Sequence, residues 1–346
     1  MRGPRKNLAI AGCGVQSKEH FRVLTKIDSI NLIALCDMNG ETASKTAKEW
    51  NVKHYYTNFS EMLKGENVSI VSILTPPQAH AAMAIEAIRS GTNVLLEKPF
   101  ATTIEEAESI LRALRENPVK LTLNYNALLN DTMMKALDMI QESEVGQVLG
   151  AMVRMLHTRN DPMASDAKHW CHSLSGGRFG EMLAHPVYLL QSIIGNSMNV
   201  EKVLADKRGT YDWMRYDELY AMLHGKGGTG QIYVSFNAAR PAYLLDIYGT
   251  QKVLSIDLMN QTLVALGTRT LSKTSSAIDS LSTSGELFFQ TIRNTGRYLF
   301  RERGHNALAR AYTSLIDSID GKKQLVVTPE MAYHTVKIVE EICKSI

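Results

Sequence analysis

The sequence predicts an α/β chain of two domains: a doubly wound parallel sheet, then an α+β domain built on a large, mostly antiparallel open sheet. Two textures along the 346 residues carry this expectation. Over 1–125, short apolar runs alternate with helix-like runs, the pattern of a parallel sheet covered on both faces. From about 148 the strands lengthen and alternate in polarity, and Gly-rich turns such as Gly225-Lys226-Gly227-Gly228 join them. That is the pattern of an antiparallel sheet with one open face. The expected division is 1–125 and 126–346, with the final helices able to pack back on the first domain.

In the first domain, strands are expected at 7–11, 31–37, 68–74, 93–96 and 119–124, and helices at 17–27, 41–50, 78–90 and 104–116. The last helix carries a capping box, Thr103 with Glu106, and an apolar face of Ile104, Ala107, Leu111 and Leu114. A helix near 130–142 leads into the second domain. There, strands are expected at 148–157, 216–224, 230–237, 242–249 and 252–258, and closing helices at 305–320 and 329–345.

Composition bounds the function. Hydrophobic residues make up 45% and charged residues 21%, ordinary for a globular protein, and the net charge of +3 with no basic block argues against nucleic acid. No apolar run approaches the roughly 18 residues of a membrane span. Cys13, Cys36, Cys171 and Cys343 show no paired spacing, which fits a reduced, cytoplasmic protein.

The chemistry-bearing residues cluster at strand ends. Leu8-Ala9-Ile10-Ala11 runs into Gly12-Cys13-Gly14-Val15-Gln16-Ser17 and then a helix. Small residues there let a pyrophosphate approach the backbone at a helix N-terminus; the bland reading is a plain strand–helix corner. Ser17 stands where a third glycine is usual. Asp37 ends the strand 31–37 and either accepts bonds from a ribose diol, favouring NAD over NADP, or caps the next helix. Thr75, Pro76 and His80 follow another strand, and Glu97-Lys98-Pro99 follows the strand 93–96. Lys98 either pairs with Glu97 or serves as a catalytic cation. His80 either bonds the backbone near a nicotinamide or touches substrate.

In the second domain, Trp170 precedes Ser175-Gly176-Gly177, and Glu181 stands four residues before His185. On a helix that spacing puts a carboxylate beside an imidazole, which it can orient for proton transfer. His185 could equally be a packed core histidine and Glu181 a salt-bridge partner. His169, Trp170 and His172 read as a pocket rim. They lack a third ligand at metal-site spacing, so no metal is expected.

Together these motifs resemble the Gfo/Idh/MocA oxidoreductases, the family of glucose–fructose oxidoreductase and inositol dehydrogenase, over essentially the whole length. The resemblance implies a Rossmann domain, NAD as cofactor, and Lys98, Glu181 and His185 as catalytic residues with the site at the domain junction. Cofactor contacts would come from Gly12, Gly14, Val15, Gln16, Asp37, Thr75, Pro76, His80, Glu97 and Lys98. Substrate contacts would come from Lys98, Asn124, Trp170, His185 and Tyr188. The family usually has Asp at Glu181, Gly at Ser175 and often Asp at Tyr188. The stretch Asn124-Tyr125-Asn126-Ala127-Leu128-Leu129 lacks the arginine by which many members grip substrate.

The expected reaction is hydride transfer between a secondary alcohol of a sugar, sugar nucleotide or cyclitol and nicotinamide. The rivals are a dinucleotide-sensing regulator without catalysis, and a lyase or hydrolase using NAD transiently. A homo-oligomer formed through the open sheet face is expected. The stretch 270–303, Ser/Thr-rich and then apolar and basic around Leu287–Arg293 and Tyr298–Arg301, is read as a helical insertion. It would pack on the sheet or on a neighbouring subunit, or cover a bulky or lipid-linked anionic substrate.

Overall fold

A computed structural model describes residues 5–268, 273–300 and 305–346. Residues 270–272 and 301–303 of the expected insertion lie outside the described residues. The chain divides into two compact units: residues 1–129 with 304–336, and residues 130–303 with 337–346. The first crossing between the units falls after Leu129, and a late segment, 304–336, belongs to the first unit.

The first unit runs β1 Lys6–Ala11, α1 Ser17–Leu24, β2 Ile30–Cys36, α2 Gly40–Glu49, β3 His54–Tyr56, α3 Phe59–Gly65, β4 Ile70–Ile73, α4 Pro77–Arg89, β5 Asn93–Leu96, α5 Ile104–Glu116 and β6 Leu121–Leu123. The six parallel strands lie in the order β3-β2-β1-β4-β5-β6. The order reverses direction between β1 and β4, and ligands of such sheets bind beyond the strand ends at this switch point. Strands β1, β4 and β5 are buried nearly throughout, because helices cover both faces; their apolar runs are therefore continuous rather than alternating. Short β3 and α3 were absent from the sequence expectation. Three residues of edge strand carry too little pattern to be read.

The second unit runs α6 Asp131–Gln141, β7 Val148–Leu156, α7 Pro162–Ser165, α8 Arg178–Met182, α9 Ala184–Ile194, β8 Met198–Asp206, β9 Glu218–Gly225, β10 Gly228–Ser235, β11 Ala242–Gly249, β12 Val253–Asp257, β13 Thr262–Leu266 and α10 Lys273–Phe300. Its seven strands are ordered β13-β12-β11-β7-β10-β9-β8. All pairings are antiparallel except β7 with β10, which are parallel. Helix α9 covers one face, burying Val187, Tyr188, Leu189 and Leu190 completely, each worth roughly 1.5–3 kcal/mol of transfer from water. The other face shows Tyr220 and Met222 on β9 and Leu204 on β8 to solvent.

The chain closes with α11 His305–Ile319 and α12 Pro329–Lys344. Helix α11 packs on α1 and on β6, and Thr122 of β6 donates to the Val327 carbonyl at 2.8 Å.

Candidate functional site

The glycine turn is built by close backbone approach. Gly12 has φ +99°, and a Cβ there would sit 2.8 Å from the Leu74 carbonyl carbon, so glycine is required where β1 and β4 part. Gly14 is different: a Cβ on it would meet nothing within 4 Å. Its missing side chain leaves open space at the start of α1, the cradle a pyrophosphate needs. Ser17 donates its hydroxyl to the Gly14 carbonyl at 2.7 Å, locking the turn where a glycine is usual.

Asp37 does not cap α2; Asn39 does, accepting from the Thr42 amide at 3.0 Å. The Asp37 carboxylate instead accepts the Cys13 amide at 2.8 Å and the Asn39 amide at 2.9 Å. It is thus tied to the glycine turn and held in place with lone pairs to spare, since a carboxylate offers about four acceptor sites.

His80 on α4 is fully buried, with Nδ1 2.7 Å from the Pro99 carbonyl and Nε2 2.9 Å from the Thr75 carbonyl. Burial pushes its pKa down, while the two carbonyls favour the doubly protonated ring. Its contacts are with backbone, and they pin the Thr75-Pro76 corner to the residue that follows Lys98.

At the end of β5, Glu97 Oε1 is 3.0 Å from His20 Nε2 and accepts Asn124 Nδ2 at 2.8 Å. Burial works against its charge, but the bonds from His20 and Asn124 and the nearby Lys98 outweigh it and hold the carboxyl below the usual range. His20 Nδ1 in turn lies 2.7 Å from the Tyr312 hydroxyl, which lies 2.7 Å from Ser72 Oγ. This buried relay of Ser72, Tyr312, His20 and Glu97 supports the residue before Lys98. Sequence reasoning missed His20, Tyr312 and Ser72; the only signal was a histidine one turn into a helix that follows the glycine turn. Asn124 Oδ1 is buried without a partner, an acceptor left for a ligand among the described residues.

In the second unit Glu181 lies in α8 and His185 in α9, separated by Leu183, whose φ −62° and ψ −21° are themselves helical. Pro186 lacks the N–H that would bond back across this point, which accounts for the break. His185 Nδ1 is engaged by the Tyr188 hydroxyl at 2.7 Å, and Glu181 is ion-paired with buried Arg178. Arg178 also reaches Asp161, which His157 Nδ1 meets at 3.0 Å. Burial opposes the Asp161 charge, but His157, Arg178 and the Ala164 amide hold its carboxyl well below the usual range.

Tyr243 of β11 lies edge-on to His185, with ring centroids 6.5 Å apart, and its buried hydroxyl has no partner among the described residues. Burial first, and Tyr188 second, push its pKa well up, so it stays a neutral hydroxyl. No sequence motif marks it. Trp170 is half-exposed beside His169, while His169 and His172 bond backbone at Cys171 and Met163. Gly176 admits no Cβ because Cys343 fills that space.

The residues in the first unit fit a dinucleotide: an open cradle at Gly14 and an anchored carboxylate at Asp37. Comparison with known proteins agrees. The family model described as "Oxidoreductase family, NAD-binding Rossmann fold" matches residues 6–125, and the GFO/IDH/MocA C-terminal domain matches 133–255. Oxidoreductase P35 of Formosa agariphila is 26% identical over 203 residues, 57% of this chain and 63% of that protein. The levoglucosan dehydrogenase of Pseudarthrobacter phenanthrenivorans is 23% identical over 49% of this chain and 44% of its own. The chain thus spans about half the length of these curated relatives. The crystal structure of the WlbA dehydrogenase from Bordetella pertussis, in complex with NADH and UDP-GlcNAcA, superimposes with a TM-score of 0.79 at 20% identity, covering 100% of this chain and 96% of that one. With both domain models matched in order, the chain belongs to the GFO/IDH/MocA oxidoreductase family.

Proposed function

We propose that the protein is an NAD-dependent dehydrogenase that oxidises a secondary alcohol of a sugar, sugar nucleotide or cyclitol, or runs the reverse reduction. The observation that carries the reading is the cluster of His185, Tyr188 and the unpartnered Tyr243 hydroxyl. A buried hydroxyl without a partner beside an imidazole is satisfied by a ligand that offers hydroxyls, and a polyol does so.

NAD is held by Gly12, Gly14, Val15, Gln16, Asp37, Thr75, Pro76, His80, Glu97 and Lys98, and when bound it supplies the hydride acceptor. His185 acts as general base. If Nδ1–H donates to the Tyr188 oxygen, the lone pair sits on Nε2, the tautomer that can take the alcohol proton. Lys98 supplies the cation that stabilises the negative charge developing in the reaction. Glu97 and its buried relay hold the backbone at Lys98, while Arg178 and Glu181 brace the start of the His185 helix. Asn124 and Trp170 contribute to substrate binding, and Tyr188 positions the base.

The named substrates of related proteins support a sugar-type ligand: levoglucosan for one curated relative and UDP-GlcNAcA bound in the WlbA structure. The four cysteines are unbridged and buried, which suits a reducing cytoplasm. The open sheet face, with Leu204, Tyr220 and Met222 exposed, supports a homo-oligomer.

The test is NADH formation, followed at 340 nm, across a panel of sugars, cyclitols and nucleotide sugars. Substrate-dependent NADH production is expected for at least one class. Product formation without net NADH would move the reading to a lyase or hydrolase with transient redox. Tight NAD binding with no turnover of any panel member would move it to a sensor.

A further inference from the structure

Helix α10 turns Gln290 and Asn294 toward its own sheet and a row of large apolar side chains toward water. Gln290 clamps the edge strand β13: Oε1 accepts the Leu263 amide at 2.9 Å and Nε2 donates to the Leu263 carbonyl at 2.6 Å. One turn on, Asn294 donates to the Asn260 and Gln261 carbonyls at 3.0 and 2.7 Å. On the opposite side, Ile278, Leu281, Phe288, Phe289 and Ile292 are exposed by 67, 74, 61, 71 and 55%. An amphipathic helix on a monomer does the reverse.

The spacing of the exposed side identifies what would cover it. Ile278, Leu281, Gly285, Phe288 and Ile292 are separated by three, four, three and four residues, the 3.5-residue period of a seam that packs against another helix. The stripe runs about 21 Å along the axis. Gln290 falls at the heptad position farthest from this seam, which is why clamping it to β13 turns the seam outward. The residues flanking the seam, Ser282, Ser284, Phe289 and Thr291, carry no charge, so two identical helices meet without like-charge repulsion. A mid-helix glycine costs about 0.5–1 kcal/mol relative to alanine. Among the described residues a Cβ on Gly285 would meet nothing within 4 Å, so none of them asks for a glycine there. Close approach of a second helix does.

We propose that α10 is a self-association element: two copies of this chain pair their α10 helices along the 278–292 seam, crossing at Gly285. A pairing of identical helices is isologous, so Gly285 meets Gly285 at the two-fold axis. This surface is separate from the open sheet face, and the proposal does not depend on the dehydrogenase reading.

The test uses the full chain. Light scattering after size exclusion should give a mass that F288D/I292D halves, with thermal midpoint and NAD binding unchanged. Under mild oxidation G285C should form a disulfide-linked pair on a non-reducing gel. The parent should not, since its four cysteines are buried. A mass unaltered by F288D/I292D overturns the proposal. Co-sedimentation with phosphatidylglycerol vesicles that F288D/I292D abolishes, at unchanged mass, overturns it in favour of a lipid surface. Should F288D/I292D not fold, the G285C link decides alone, and its absence overturns the pairing.

Discussion

The two units hold their candidate site residues by different means. In the first, two key side chains are tied to backbone, Asp37 by two amides and His80 by two carbonyls, and only Glu97 rests on a side-chain relay. In the second, they are tied to one another: His185 to Tyr188, and Glu181 to Arg178 and on to Asp161 and His157. Backbone anchoring makes the geometry a property of the fold and indifferent to neighbouring side chains. Side-chain anchoring makes it a property of the particular residues. A shared cofactor suits the first arrangement and a variable substrate the second. Mutations test the contrast directly: changes at backbone-anchored Asp37 should act on cofactor choice, and changes in the side-chain network of the second unit on turnover, substrate or stability.

The largest effect is expected at the proposed chemistry. Lys98→Met should lower turnover about 100-fold or more while NAD binding, read by fluorescence titration, stays nearly intact. His185→Ala should be at least as severe. A Lys98→Met enzyme with parental turnover would leave Lys98 a structural residue and remove it from the mechanism.

Next comes the ion cluster of the second unit. Asp161→Asn removes a carboxylate that Arg178 and His157 stabilise, at a cost of about 1.5–3 kcal/mol for hydrogen bonds to charged groups. The folded-state pKa of Asp161 is depressed, so its contribution is present above the unfolded value, about 3.9, and is lost as pH falls through the folded one. Denaturant midpoints should therefore separate parent and variant by a constant gap from pH 5 to 8 and converge below about pH 4. A gap that persists into acid would assign the loss to packing.

These residues also mark where sequence reading stopped. Long apolar runs and turn glycines are local signals, and β1, β2, the glycine turn and α5 with its Thr103 cap were legible for that reason. Strand β8 was not, because as an edge strand it leaves most of its side chains exposed and mixes polar with apolar residues. The parallel pairing of β7 with β10 is a long-range choice that no period-two pattern encodes. Lys98 and His185 stood in recognisable local contexts. Tyr312 and His20 are 292 residues apart, and Tyr243 lies far along the chain from His185, so those partnerships exist only once the chain is folded.

On the cofactor side a smaller effect is expected. Asp37→Ser should move the NAD/NADP preference toward NADP by about 1–2 kcal/mol, the scale of one lost ribose hydrogen bond. Titrating both cofactors checks it. The variant also loses the bonds to the Cys13 and Asn39 amides, so a small drop in melting temperature should accompany the shift. Equal weakening of both cofactors, with no change in their ratio, would leave Asp37 a brace of the glycine turn and nothing more.

The smallest change to the folded state is expected at Tyr243, and it separates two meanings of an unpartnered hydroxyl. Removing the oxygen in Tyr243→Phe deletes a buried polar group that bonds nothing, so stability should hold or rise slightly; in a satisfied network the same change costs about 1 kcal/mol. If the hydroxyl exists for substrate, kcat/KM should nevertheless fall roughly five- to tenfold, the loss of one neutral hydrogen bond, with NAD affinity untouched. The fall should be largest for substrates bearing a hydroxyl next to the oxidised carbon and vanish for analogues lacking it. Parental kcat/KM across the panel, with raised stability, would make Tyr243 a packing residue and leave His185 and Tyr188 as the polar groups of that cluster.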